Sequence, residues 1–136
     1  MIKQIMMTMP VSNVEKSKEF FGKLGFSFDP TLTGETAAHL IIDEWHFSVM
    51  LMETSVFQSF TTKEIVNAHK AMETSTIIVV SSKEEVGTML EKAVAAGAKA
   101  GKIDDEYEWM YSQDFQDLDG HSWQITWMDM SATPAG

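Results

Sequence analysis

The stretch Asp114–Asp129, DFQDLDGHSWQITWMD, decides the fold of this 136-residue chain. It opens on a tight acidic turn, DLDG, that ends at Gly120, and it continues into a run where Trp123, Ile125 and Trp127 occupy every second position. Polar or semi-polar side chains fill the positions between them. This period-2 alternation predicts a strand over His121 to Met128, with one face toward a core and one semi-polar face.

Length and composition favour one compact α+β domain spanning residues 1–136, with 44% hydrophobic residues. A formal charge of -10 without a basic run argues against a nucleic-acid partner. Scattered acidic charge is typical of simple solubility, and it is also compatible with a cationic ligand. The absence of Cys excludes disulfides, and Met1 to Met9 is too short for a signal segment or a membrane span, so a cytoplasmic location is expected.

Alternation and turn residues predict seven further strands. They cover Ile2 to Val11, Phe26 to Phe28, Thr36 to Ile42, His46 to Glu53, Thr76 to Val80, Ala100 to Ile103 and Glu108 to Phe115. A helix is predicted over Val14 to Leu24, with Asn13 as its N-cap, and a second over Lys83 to Ala96, with Ser82 as its cap.

The order of these elements repeats after about 70 residues, because the strand, the capped helix and the helix-ending glycine recur. The repeat predicts two βαβββ modules, over about 1–53 and 74–130, and a connector over 54–73. Thr61 and Glu64 have the spacing of a capping box and predict a short helix in the connector. A connector of this length is typical of a binding loop and of a plain bridge.

Two motifs resemble the glyoxalase, bleomycin-resistance and extradiol-dioxygenase proteins, the vicinal oxygen chelate superfamily. The run from Val11 to Phe21, VSNVEKSKEFF, resembles that family's Val-x-Asp-x-x-x-Ser-x-x-Phe-Tyr, and the Asp-x-Asp-Gly turn resembles its last hairpin. The branch most similar is that of the predicted lactoylglutathione lyases. The resemblance covers nearly the whole chain and implies that the two modules form a cupped mixed sheet, with the helices on its convex side.

The resemblance also implies where metal ligands would stand, namely on the first and last strands of each module. Those positions fall on Met6, on Met50 or Met52, on Ser75 and on Gln124. Thioether, hydroxyl and amide groups are poor ligands for a hard divalent cation. We therefore expect no metal and no other cofactor. A relocated ligand set from His46, Glu53, Glu106, Glu108 and Asp114 stays open.

The ligand is expected to be a small molecule. Strand parity predicts the residues that line the cup. These lining residues are Met6, Thr8, His46, Ser48, Met50, Met52, Ser122, Gln124, Thr126 and Met128, together with Ser75 at the inherited position. Trp109 and Tyr111 are expected to reach the mouth and stack on a planar ligand, whereas Trp45, Trp123 and Trp127 take the core parity. A lone histidine is usually structural, so we predict no histidine ligand.

Three functions follow from the resemblance. The first is bleomycin-resistance-like sequestration of an apolar or cationic small molecule. The second is a metal-dependent glyoxalase I-like lactoylglutathione lyase or extradiol dioxygenase, although neither the acid–base pair nor the two-His, one-carboxylate set that those reactions need is evident in the sequence. The third is a structural or regulatory domain with a vestigial cup. The family resemblance also implies a homodimer.

Overall fold

The computed structural model describes residues 1–44 and 46–132. Module one consists of β1 (Ile5–Val11), α1 (Val14–Lys23), β2 (Ser27–Asp29), a 3-10 turn (Pro30–Leu32), β3 (Ala37–Asp43) and β4 (Phe47–Glu53). The connector begins with α2 (Thr54–Gln58). Module two consists of β5 (Ser75–Val80), α3 (Lys83–Ala95), β6 (Lys99–Asp104), β7 (Met110–Gln116) and β8 (Ser122–Met128).

Each module forms its own four-stranded mixed sheet, ordered β1-β4-β3-β2 and β5-β8-β7-β6. The first strand of each module pairs in parallel with the last, and the remaining neighbours are antiparallel. The predicted α+β class and the two βαβββ modules are confirmed. The chain divides into two compact units between Ile65 and Val66. No helix among the described residues is both long and apolar enough to cross a membrane.

Helix ends follow the predicted caps. The Asn13 side chain accepts a hydrogen bond from the backbone N–H of Lys16 at 3.0 Å, and Ser82 Oγ accepts one from Glu85 at 3.3 Å. These bonds satisfy amide groups that the first turn leaves without intrahelical partners. Gly25 and Gly97, which end the two helices, both have positive φ, where a glycine avoids the steric cost of a Cβ atom.

The predicted connector helix after Thr61 is wrong. The Thr61 hydroxyl accepts a hydrogen bond from the backbone of Lys63, only two residues ahead, which makes a turn in place of a helix cap. The Gln58 side chain binds the carbonyls of Thr61 and Lys63 and holds this turn in place. The short helix of the connector lies earlier, over Thr54–Gln58.

One face of each sheet packs under its own helix. In module one, Val49 and Leu51 of β4 are fully buried, as are Phe20 and Phe21 of α1. In module two, Trp123 and Ile125 of β8 are fully buried together with Val86 and Ala93 of α3. Trp127 is on this side too, as its predicted core parity requires, but it is only half-buried and Lys83 lies over its ring. Trp45, predicted as core, lies outside the described residues.

Candidate functional site

The candidate site is the face of each sheet that points away from the helix, which we call the open face. Side chains directly opposite each other on paired strands share a face. In module one, Met6 lies opposite Ser48, Thr8 opposite Met50, and Met52 follows two residues later on the same face. In module two, Gln124 lies between Ile77 on β5 and Asp114 on β7. Parity thus places the strand residues predicted to line the cup on the two open faces.

The positions that the family resemblance assigns to metal ligands all lie on these open faces. Met6 is exposed, Met50 and Met52 are half-buried, Ser75 is exposed and Gln124 is half-buried. Within the described residues, no three His, Cys, Asp or Glu side chains come together as a possible metal site. Module one therefore offers only thioethers at these positions, and module two offers a hydroxyl and an amide; neither group of donors fits a hard divalent cation.

One of the alternative acidic ligands is occupied by a helix end, and two others lie in a turn. Glu53 Oε2 accepts a hydrogen bond from the backbone N–H of Val14 at 3.1 Å, so its carboxylate stabilises the N-terminus of α1. Glu106 and Glu108 are exposed in the turn between β6 and β7. Of the relocated set, only Asp114 lies on an open face beside an inherited position.

His46 takes a different place from the one expected. It lies in the turn before β4, its side chain is 79% exposed, and Nδ1 is 3.2 Å from Asp43 Oδ2. Strand β4 begins one residue later, at Phe47, so cup-facing strand parity does not extend to His46. The imidazole is held by a neighbour in the turn and is mostly exposed to solvent.

Of the two aromatic residues predicted at the mouth, Tyr111 differs from expectation. Tyr111 lies opposite Trp127 and so shares the helix-covered face, where its hydroxyl accepts a hydrogen bond from Gln113 Nε2. Trp109 precedes β7 in a turn and stacks on Tyr107, with ring centroids 5.4 Å apart. The register between β7 and β8 sets the Tyr111 orientation, and the sequence of β7 alone does not reveal it.

Asp114 is the charged residue next to Gln124 on the open face of module two. Partial burial raises the pKa of the Asp114 carboxyl, Lys102 opposes this rise and Asp104 adds to it. A little further along, the hydroxyls of Ser112 and Thr126 bind each other at 2.8 Å and are both buried. Gln124 and Asp114 are therefore polar groups of this face that lie beside exposed Ile77 and Val79.

We expect Asp114→Asn to reduce the pH dependence of stability. Because the folded state raises this pKa, the folded protein holds the proton more tightly than the unfolded chain. The free energy of unfolding therefore falls as pH rises from the ordinary aspartate value, about 3.9, through the folded-state pKa. Urea titrations from pH 3 upward measure this decline, which should be shallower in Asp114→Asn and unchanged in Glu108→Gln, an exposed control in the same module. Equal declines in all three proteins would contradict the expectation.

A hydrogen-bonded chain on the open face of module one was not predicted. His39 Nδ1 is 3.3 Å from Asp29 Oδ2, and His39 Nε2 is 2.8 Å from Ser48 Oγ. Ser48 Oγ also accepts a hydrogen bond from Gln4 Nε2 at 3.1 Å. The three strands that carry Asp29, His39 and Ser48 are adjacent in the sheet. The alternation of β3, with His39 between Ala38 and Leu40, was the only sequence signal of a histidine on the open face.

Comparison with known proteins agrees with this architecture. The structure is similar to hypothetical protein SA1046 from S. aureus, with a TM-score of 0.79, 25% identity, and 93% of this chain and 94% of that chain covered. It is similar to the fosfomycin resistance protein FosX from Listeria monocytogenes, with a TM-score of 0.70, 17% identity and coverage of 96% and 98%. A lactoylglutathione lyase from Agrobacterium tumefaciens gives a TM-score of 0.66, 10% identity and coverage of 98% and 97%.

None of the curated proteins compared with the chain matches it. The family model described as Glyoxalase/Bleomycin resistance protein/Dioxygenase superfamily matches residues 2–125, which is most of the chain. The motifs at Val11 to Phe21 and Asp117 to Gly120 lie inside that match. The chain therefore belongs to the glyoxalase, bleomycin-resistance and dioxygenase superfamily.

Proposed function

We propose that this protein binds an apolar or cationic small molecule without a metal ion, in the manner of a sequestering resistance protein. The observation that carries the proposal is the set of side chains at the inherited ligand positions, Met6, Met50 or Met52, Ser75 and Gln124. These groups contribute no carboxylate and no imidazole to offset the dehydration of a hard cation. On the open face of each module they leave a soft surface that suits organic ligands of several shapes.

The open face of module two supports the same proposal. Ile77 and Val79 are 56% and 58% exposed, and they stand beside the polar Gln124 and Asp114. A ligand with an apolar body and a cationic or hydrogen-bonding group has partners for both parts there. The formal charge of -10 favours the approach of a cation.

A second candidate function is a metal-dependent lyase or dioxygenase of the same superfamily. The observation that favours it is the Asp114 carboxyl, which lies opposite Gln124 and supplies one anionic oxygen donor at the open face. One carboxylate and one amide are fewer ligands than the metal enzymes of this chemistry use. A vestigial domain that binds nothing is the third alternative. We also propose that the protein is a cytoplasmic homodimer, as the family resemblance implies.

Calorimetric titration with nickel, zinc, iron and manganese tests the proposal. Protein purified without a His-tag is expected to show no site of micromolar or tighter affinity. The matched positive control is Met6→His with Met52→Glu, Ser75→His and Gln124→Glu, which introduces imidazole and carboxylate ligands and should create metal affinity that the natural protein lacks. A stoichiometric site in the natural protein that Gln124→Ala or Asp114→Ala abolishes would overturn the metal-free proposal.

A thermal-shift screen of apolar cations and neutral aromatic compounds separates binding from the vestigial alternative. A ligand at 100 times its Kd stabilises the folded state by about 2.7 kcal/mol, which moves the melting temperature by several degrees. Compounds whose shift of the melting temperature is smaller in Asp114→Asn or Ile77→Ser would support the open face of module two as the site. A screen without any hit in either class would favour the vestigial domain.

A further inference from the structure

The chain Asp29–His39–Ser48–Gln4 has a defined direction of hydrogen bonding. A backbone hydrogen bond from Thr31 is the largest of the effects that hold the pKa of Asp29 below its ordinary value, so its carboxylate only accepts. His39 Nδ1–H therefore donates to Asp29, and in this Nδ1–H tautomer Nε2 accepts the Ser48 hydroxyl proton. The Ser48 oxygen in turn accepts from the Gln4 amide.

These residue types resemble the serine, histidine and aspartate of hydrolases, but their burial assigns them another role. Ser48 is 0% exposed and His39 is 4% exposed, so the hydroxyl is not available to attack a substrate. Asp29 is partly exposed but is already bound to Thr31 and His39. Of the four hydrogen-bonded residues, Gln4 is the one that is exposed and still has hydrogen-bonding groups for a ligand.

Gln4 combines exposure with a fixed orientation. One amide N–H is committed to Ser48, while a primary amide has a second N–H and a carbonyl oxygen for other partners. Its contact with Ser48 places it at the open face, where Met6 lies directly opposite Ser48 in the register. Fixing a donor before a ligand arrives reduces the entropy that binding must remove.

We propose that Gln4 is a ligand-recognition residue for an uncharged carbonyl or amide group carried on an apolar body, and that Asp29, His39 and Ser48 are positioning residues that hold its amide. The thioethers of Met6 and Met50 contact the apolar body. The carboxylate among the described residues of this face, that of Asp29, already serves His39 and Thr31 and is not left to recognise an ion. This inference rests on the proposed function, small-molecule binding, and assigns the ligand class for module one.

The test uses the side-chain amide resonances of Gln4 in the intact, nitrogen-15-labelled protein, with N-methylacetamide as the probe. Saturable shifts of these resonances are expected, and the same concentrations of acetate or tetramethylammonium should leave them in place. Ser48→Ala and Asp29→Asn should weaken the response to N-methylacetamide by about three- to tenfold, as the loss of one hydrogen bond predicts. Ser48→Thr retains the hydroxyl and should restore it.

The nitrogen-15 shifts of the His39 ring report the tautomer that the positioning role requires. The Nδ1–H tautomer is expected in the natural protein and should be lost in Asp29→Ala. The methyl resonance of the neighbouring Met6 is a second reporter of N-methylacetamide binding. Gln4→Ala changes an exposed residue and should remove the response of this methyl while the protein stays folded. Gln124→Ala, in the other module, should leave the response intact.

Two results would overturn the inference. One is an amide of Gln4 that does not respond to N-methylacetamide, and the other is an equal response in Ser48→Ala. A stronger response to either ion would overturn the ligand class. The proposed function would survive each of these results if the thermal-shift hits depend on Asp114 or Ile77, so the two failures are distinguishable.

Discussion

Replacing Trp123 by Ala is expected to lower the free energy of unfolding by about 3–5 kcal/mol, the usual loss for an aromatic residue removed from a core. Trp123 is 0% exposed and stacks on Phe115 with ring centroids 6.3 Å apart. Its indole Nε1 also donates to Asp117 Oδ2 at 3.0 Å. The substitution therefore creates a cavity and removes a hydrogen bond from a buried carboxyl whose pKa is raised by burial. Denaturant titration measures the loss.

Two matched variants separate the parts of this effect. Trp123→Phe keeps an aromatic ring against Phe115 but removes the N–H, so a loss of about 1–3 kcal/mol is expected from the unpaired group at Asp117. Trp127→Ala removes an indole of the same strand face that is only half-buried, and its loss should be smaller than that of Trp123→Ala. A loss below about 1 kcal/mol for Trp123→Ala would show that Trp123 does not belong to the core.

Replacing Gly120 by Ala is expected to cost about 2–5 kcal/mol, because two effects add at this position. Gly120 has a φ of +85°, where a Cβ atom costs roughly 1–2 kcal/mol. The new Cβ would also stand 2.6 Å from the backbone nitrogen of His69 and 2.9 Å from the carbonyl carbon of Ala68, so backbone must move and add about 1–3 kcal/mol.

Gly25→Ala is the matched control for this substitution. Gly25 also has a positive φ, of +99°, but a Cβ there would meet no atom within 4 Å. Only the backbone term of roughly 1–2 kcal/mol is therefore expected. The difference between the two variants in urea titration measures how tightly the acidic turn is held against the connector. Equal losses of unfolding free energy would mean that the connector moves away from the new Cβ atom without destabilising the fold.

Sequence patterns predicted those parts of the fold that depend on local chemistry. Asn13 and Ser82 cap their helices, and Gly25 and Gly97 end them, because these features need only residues within a turn of each other. The period of β8 identified Trp123 as core for the same reason. The connector helix was misplaced because two weak local signals compete there, and the Gln58 side chain favours a turn at Thr61.

The open faces were only partly predictable, because their contacts join residues far apart in the sequence. Alternation placed Met6, Met50 and Gln124 on these faces, but pairing decides which residues are neighbours. The contact of His39 with Ser48 depends on the β3–β4 register, and the contact of Asp29 with His39 depends on the β2–β3 register. The orientation of Tyr111 depends on β8 in the same way. Register is a property of two strands, so one strand's composition does not specify it.

The parallel pairing of each module's first strand with its last has a consequence for synthesis on the ribosome. β1 leaves the exit tunnel early but finds its partner only after β4 has been made, and β5 must likewise wait for β8. Until then the backbone groups of β1 and β5 that pair in the finished fold have no strand partner. Pairing at long sequence separation is slow, so nascent chains whose part outside the ribosome ends just before Phe47 or just before Ser122 should be the states most prone to aggregation and chaperone binding.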